Sequence, residues 1–429
     1  MYFIYSLLYI VALICILPFE YFKRPREIRR RWFREKCGFF DLSFILHPSS
    51  FIWVHAVSVG EVMAALPLLN RLKIAYPAQA IILSTITDTG RKVAREKSPA
   101  GTGIVYLPFD IPFVLRSVIN RMKPQLLIII ETELWPNMLR IFKGNGIPVI
   151  LLNGRISEKS FHGYKKISFF MRKVLSSVDS FGMQNEQYAE RLRSLEVDSR
   201  KIHIVGSFKF DANPTTQIPR WASFITGPVI VAGSTHEGEE ELMASIYTDL
   251  KRDFPHLNLI IAPRHPERFG RVENMLRSKG IGFLKRSELH AGQKTEGIRG
   301  TIILLDSVGE LPAVYGISTI AIIGKSFRGH GGQNPLEPAY WGKPIVCGPH
   351  MENFPVIQDF YKAGAAIHVK EEGLPHILRE LLHSPEKAKE IGIEAQRIYQ
   401  KNSGAVEKAM KIMEQYISPK IADIAQKII

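Results

Sequence analysis

The stretch GKSFRGHGGQNPLEPAYWGKPIVCGPH, residues 324–350, decides how the rest of the chain is read. It follows a short apolar run, Thr319–Ile323, and its first half is crowded with glycine. Asn334 is a favoured N-cap and Pro335 a favoured first helical residue, so the loop is expected to open into a helix. Backbone N–H groups left free by that geometry form an anion site suited to a phosphate. Glu337, one turn in, is set to accept hydrogen bonds from ribose hydroxyls. A second apolar run, Pro344–Cys347, follows. Strand, glycine loop, capped helix and strand in this order point to a nucleotide-binding parallel sheet.

The same alternation continues outward. Apolar runs at Val229–Ala232, Leu257–Ala262, Gly282–Phe283, Thr301–Leu305 and Ala366–His368 complete the second half of the chain. A matching first half runs through Phe51–Ala56, Ala80–Thr85, Gly103–Tyr106, Leu126–Ile130, Val149–Leu152, Ser180–Met183 and Ile202–Val205. Helix-period stretches such as Val62–Ala75 and Phe161–Ser177 lie between them. Residues 212–228, ANPTTQIPRWASFITGP, are rich in Pro and Thr, carry no strand pattern and read as a linker. At 429 residues the chain exceeds one ordinary core. The expected plan is α/β. It has an anchoring and basic segment at 1–36, an N-terminal Rossmann-like domain at 37–211, the linker at 212–228 and a C-terminal Rossmann-like domain at 229–429. The last of these ends in helices, one of them opened by Ser384 and Pro385. Two such sheets facing a cleft would bind ligand beyond the carboxyl ends of their strands.

The first residues break the globular pattern. MYFIYSLLYIVALICILPF, residues 1–19, holds no charge, and KRPREIRRRWFREK, residues 23–36, is dense in Lys and Arg around Trp32 and Phe33. An apolar run of this length either just crosses a bilayer or lies in one leaflet, and the basic flank suits an anionic cytoplasmic surface. A cleaved signal peptide would need its basic stretch before the apolar run. The net charge of +15 raises the possibility of nucleic acid, yet no helix-turn-helix, zinc-finger or RNA-binding aromatic pattern is present. A membrane surface is the expected partner instead. Three widely spaced cysteines, Cys15, Cys37 and Cys347, fit no disulfide framework.

Several strand ends carry candidate chemistry. In HAVSVGEVMAALPLL, residues 55–69, Glu61 opens a helix whose dipole favours its ionised form. It is either a general base or a simple complement to the helix N-terminus. In ETELWPN, residues 131–137, the period of two along a strand would put Glu131 and Glu133 on one side. Lys209, in GSFKFD before the linker, is either a phosphate-neutralising or a solvated lysine. APRHPER, residues 262–268, crowds Arg264, His265 and Arg268 at a strand end, where guanidinium forks match phosphate oxygens. DSVGEL, residues 306–311, adds another strand-end turn. No DxD, HExxH or Walker pattern occurs, so no metal site is expected.

Taken in order, HAVSVGE, ETELWPN, GSFKFD, STHEGEE, PRHPER, DSVGEL and NPLE resemble the 3-deoxy-D-manno-octulosonic acid (Kdo) transferases over nearly the whole chain. The resemblance implies a GT-B glycosyltransferase fold, CMP-Kdo as donor, and a lipid A precursor as acceptor, at the cytoplasmic face of the inner membrane. It also implies Glu61 as general base, and Glu131 and Lys209 in transition-state stabilisation. Pro263, Arg264, Val308, Gly309, Glu310, Asn334, Pro335, Leu336 and Glu337 would be the CMP contacts, with no metal and no cofactor. Gln333 departs from the family pattern, in which several members carry histidine. The competing readings are a GT-B-like nucleotide-sugar epimerase or hydrolase, and a non-catalytic membrane-associated nucleotide-binding protein.

Overall fold

The computed structural model describes residues 1–41, 51–212, 217–289 and 297–417. They fall into two compact units, Met1–Ala212 with Ser403–Ile429, and Asn213–Asn402.

The first unit is built on strands β1 (Phe51–His55), β2 (Ala80–Thr85), β3 (Thr102–Tyr106), β4 (Leu126–Ile130), β5 (Val149–Gly154), β6 (Ser180–Met183) and β7 (Ile202–Ile204). They form one parallel sheet in the order β3-β2-β1-β4-β5-β6-β7. Near-continuous apolar strands such as Leu126–Ile130, buried along their whole length, require helices on both faces. Those helices supply two separate cores. One holds Trp53, Phe142 and Phe181, and the other holds Leu68, Leu69 and Phe208. The helix expected over Phe161–Ser177 is two, Glu158–Lys166 and Ser168–Leu175, broken where Ile167 leaves helical geometry.

The second unit repeats the plan with β8 (Val229–Thr235), β9 (Asn258–Pro263), β10 (Phe283–Lys285), β11 (Ile302–Leu304), β12 (Ile320–Ile323), β13 (Ile345–Cys347) and β14 (Ala366–His368). Their order is β10-β11-β9-β8-β12-β13-β14, again all parallel. In each sheet the strand order reverses once, beside β1 and β4 in the first and beside β8 and β12 in the second. Loops leaving these strands diverge above and below the sheet and open a crevice at their carboxyl ends.

Three boundaries differ from the sequence plan. The N-terminal segment is part of the first unit rather than an appendage. Helix α1 (Tyr2–Phe22) lays Tyr9, Ile10, Leu13, Leu17 and Tyr21 against Trp32, Tyr106 and Phe109. In helix α2 (Arg26–Lys36) several expected surface residues are buried. Trp32, Glu35 and Lys36 face inward, and Glu35 pairs with Arg91 at 2.9 Å. The expected linker is only partly one. Residues 213–216 lie outside the described residues, but Trp221 and Ala222 are buried in the second unit's core. Finally, the second domain does not run to residue 429. The helix Ala405–Glu414 packs Val406, Ala409, Met410 and Met413 on the first unit, and both carboxylate oxygens of Asp211 cap it, from Gly404 and Val406 N–H at 2.6 Å.

Candidate functional site

In the first unit, helix α3 (Val59–Ala75) starts directly after β1, with Ser58 at its N-cap position. Glu61 turns its carboxylate back to accept from the Val57 N–H at 2.6 Å and the Ser58 hydroxyl at 3.2 Å. This is capping geometry, in which a third-position glutamate satisfies a donor that the helix leaves open. The expected ionising effect of the helix start does not prevail. Burial raises the Glu61 pKa above the ordinary carboxylate value despite the Val57 and Ser58 hydrogen bonds, and Glu131 adds to the rise. His55, on β1, is fully buried with Nδ1 2.9 Å from Ser84 Oγ. Burial holds its pKa down to about 3, so it is a neutral core histidine.

The alternation argument for Glu131 and Glu133 fails locally. β4 ends at Ile130, and Glu131 takes a left-handed backbone conformation with φ of 63°. Such a conformation is costly for a residue with a Cβ and persists where surrounding structure imposes it. Electrostatics nevertheless joins the acids. Burial, with Glu61 and Glu131 nearby, pushes the Glu133 carboxyl up to about 7. Arg155, just beyond β5, comes within 3.8 Å of Glu131. Lys209 sits on a short 3-10 turn, Phe208–Asp211, fixed by its buried neighbours Phe208 and Phe210. The Phe208 N–H donates to Asn153 Oδ1 at 3.1 Å, and Asn153 also has a positive φ, 55°. Burial lowers the Lys209 pKa, with Glu131 opposing and Arg155 reinforcing that shift. Glu61, Glu131, Glu133, Arg155 and Lys209 thus share one electrostatic neighbourhood at the reversal point of the sheet. Arg155 escaped the sequence reading because it lies beyond any recognisable motif, at the end of β5.

In the second unit the glycine loop after β12 is organised from below by one acid. Glu239 is 1% exposed and accepts from the backbone N–H groups of Lys325 (2.7 Å), Phe327 (3.1 Å), Arg328 (3.3 Å) and His236 (2.9 Å). Gly331 N–H goes to Glu352, and Leu336 N–H to Asn334 Oδ1 at 3.1 Å. These particular amides are therefore occupied by groups of the protein itself. The helix starts one residue later than expected. It spans Leu336–Tyr340, with Pro335 at the cap position. Asn334 caps it and donates to Glu337 Oε1 at 3.2 Å.

Positive charge here comes from side chains. His236 has its pKa pushed down to about 4 by burial and by Lys325, His265, Arg268 and Arg264 around it. A neutral imidazole amid four cationic or basic groups marks a region that favours an anion. The Gln333 amide lies 3.2 Å from His236 Nε2, which gives the departing residue a local partner. Arg268 pairs with buried Glu240 at 3.1 Å, whereas Arg264 is exposed beyond Pro263, the last residue of β9. Gly309 has a φ of 92°, and Val308 before it is 77% exposed. Burial works against ionised Glu310, but hydrogen bonds from Arg286, Ser307 and Trp221 outweigh it and hold its carboxyl below the ordinary value. Among the described residues, the ligand atoms of His330, His350 and Glu352 lie within 4.8 Å of one another, close enough to hold a metal ion.

Comparison with known proteins sharpens this geometry. Residues 30–212 match the family described as 3-deoxy-D-manno-octulosonic-acid transferase (kdotransferase). The chain is 32% identical to a 3-deoxy-D-manno-octulosonic acid transferase of Haemophilus influenzae, over 94% of this chain and 95% of that one. Among solved structures it is similar to a glycosyltransferase from Rickettsia africae, with a TM-score of 0.53 and 14% identity over 86% of this chain and 99% of that one. It is equally similar to a UDP-GlcNAc 2-epimerase from Neisseria meningitidis, with a TM-score of 0.54 and 14% identity over 82% and 99%. The architecture is GT-B, and at these identities the two structures speak to fold alone.

Proposed function

The chain belongs to the Kdo transferase family of glycosyltransferases, and from that premise we propose that it moves Kdo from CMP-Kdo to a lipid A precursor in lipopolysaccharide assembly. In this reading the acceptor hydroxyl attacks the anomeric carbon of Kdo and gives its proton to a Glu61 carboxylate oxygen. The bond from that carbon to the phosphate oxygen breaks, and CMP leaves with the electron pair. Burial at Glu61 raises its proton affinity, which makes it a stronger base than a solvated carboxylate. Glu131 would favour positive charge on the sugar, and Lys209 would balance charge on the departing phosphate. CMP would be held by Pro263, Arg264, Val308, Gly309, Glu310 and Asn334 through Glu337. The basic groups around His236 would receive its phosphate without a metal ion. The observation that carries the proposal is the shared neighbourhood of Glu61, Glu131 and Lys209 at the reversal point of the first sheet.

The proposed localisation is supported by α1. It is long and apolar enough to cross a membrane, yet one stripe of it packs along the first unit. The outward stripe carries Phe3, Ile4, Leu7, Leu8, Val11, Ile14 and Phe19, all exposed. We read this as a helix lying in the headgroup region of the inner membrane's cytoplasmic leaflet, its outer face in lipid. That position suits an acceptor embedded in the bilayer.

Incubation with CMP-Kdo and the tetra-acylated lipid A precursor tests the activity. Kdo-modified lipid on mass spectrometry is the expected product. CMP release without lipid modification would indicate a hydrolase, and no turnover would leave a binding protein.

A further inference from the structure

The helix Pro136–Gly144 follows directly on Glu131–Trp135, yet its own N-cap residue, Trp135, offers no capping side chain. Its cap comes from a distant residue. Asp110, 2% exposed, accepts from Asn137 N–H at 3.1 Å and from Met138 N–H at 2.7 Å. Its backbone carbonyl takes the Asn137 amide at 2.8 Å. Asp110 is held in turn by α1. The Tyr5 hydroxyl donates to Asp110 Oδ2 at 2.8 Å, and the Asp110 N–H donates to the Tyr9 hydroxyl at 3.2 Å. Ser6 Oγ accepts from Asn137 Nδ2 at 2.9 Å. Positions 5, 6 and 9 share one helix face, and in an otherwise apolar helix their hydroxyls converge on one carboxylate–amide pair.

A helix that only tethers has no need of this network. Buried polar networks of this kind are worth their cost when they fix one geometry. We propose that Tyr5 and Asp110 are positioning residues for sugar transfer, through which the seating of α1 sets the geometry of the Glu131–Trp135 loop. The chain of contact is short. Tyr5 holds Asp110, Asp110 holds the first turn of the helix, and that turn holds the loop bearing Glu131 and Glu133. Neither Tyr5 nor Asp110 touches substrate in this scheme.

The inference rests on the transfer reading above, so its test carries an arm independent of activity. Tyr5→Phe removes one hydroxyl and keeps the ring stacked on Tyr9 and Phe170. In phosphatidylethanolamine–phosphatidylglycerol vesicles we expect kcat to fall about tenfold, as loss of one hydrogen bond to a charged group allows. KM for CMP-Kdo and co-sedimentation with the vesicles should stay at wild-type values. Amide exchange at Asn137 and Met138 should speed up by a similar factor. Asp110→Asn keeps one oxygen and presents an NH2 to one of those two N–H donors, and should lose more in both readouts. Unchanged exchange at Asn137 and Met138 in both variants would overturn the coupling. So would faster exchange with undiminished kcat, or a kcat loss that merely tracks lost vesicle binding. If the wild type transfers no Kdo, the donor reading fails, and the exchange result still decides whether α1 governs the loop.

Discussion

The Glu61 carboxylate is pulled two ways, by hydrogen bonds that favour its charge and by burial that disfavours it, and burial prevails. If it is the base, Glu61→Gln should lower kcat on the order of a hundredfold or more and leave CMP binding, read by calorimetry, intact. The kcat–pH profile of the wild type should fall on the acid side through a pKa above the usual glutamate value. Near-normal turnover by the variant would remove Glu61 from that role. Glu133 allows a stability test with a definite sign. Its pKa, about 7 when folded, exceeds the unfolded value of 4.5, so the native state holds the proton more tightly. Stability from this group is greatest below pH 4.5 and is lost as pH rises toward 7. Glu133→Gln should therefore raise Tm at pH 8 relative to wild type, and the gain should vanish near pH 4. A gain independent of pH would place Glu133 in a solvated setting. Glu61 and Glu131 stand out in their motifs as candidates. The raised proton affinity of Glu61 does not, because it depends on residues up to ninety-four positions away, as with Glu61 and Arg155.

At the scale of elements, the glycine loop draws on residues that its motif does not contain. Its glycines do permit the turns, with Gly331 at φ 109° and Gly332 at φ 64°. Amides of the loop are claimed by Glu239 and Glu352, acids eighty-six and twenty-one positions from the groups they bind at Lys325 and Gly331. Glu239→Ala would leave several buried N–H donors unsatisfied, at about 1–3 kcal/mol each. It should lower Tm and abolish CMP binding together, which calorimetry and thermal melts would record. The α1 helix is legible as apolar, but not as two-sided. Leu8→Asp with Val11→Asp alters only the outer stripe, where both residues are exposed. The double variant should lose vesicle co-sedimentation while keeping its Tm. A large fall in Tm would mean that this stripe packs against protein.

At the scale of the molecule, the strand pattern was readable because parallel strands buried on both faces must be apolar along their length. Leu126–Ile130, Ala80–Thr85, Ser180–Met183 and Ala366–His368 stand in the structure with the bounds read from sequence. The return of Ala405–Glu414 to the first unit was not readable, since an amphipathic helix does not state which surface it covers. Asp211→Ala, which removes the acceptor of the Gly404 and Val406 amides, should cost about 1–3 kcal/mol in denaturant unfolding. A value near zero would show that apolar packing alone holds that helix. Exhaustive chelation should leave Kdo transfer unchanged under the metal-independent reading. A loss restored by a divalent ion would direct attention to His330, His350 and Glu352.

The sequence by itself determined two parallel sheets, an apolar N-terminal helix and the family to which the chain belongs. These are properties of local periodicity and of motif order, which each segment carries without its neighbours. Only the tertiary structure decided which acid organises the glycine loop, which face of α1 stays open, and where the last helix docks. It also gathered Glu61, Glu131, Glu133, Arg155 and Lys209 into one neighbourhood. Such matters depend on burial and on charges brought together by the reversal of strand order, and no segment carries that information alone.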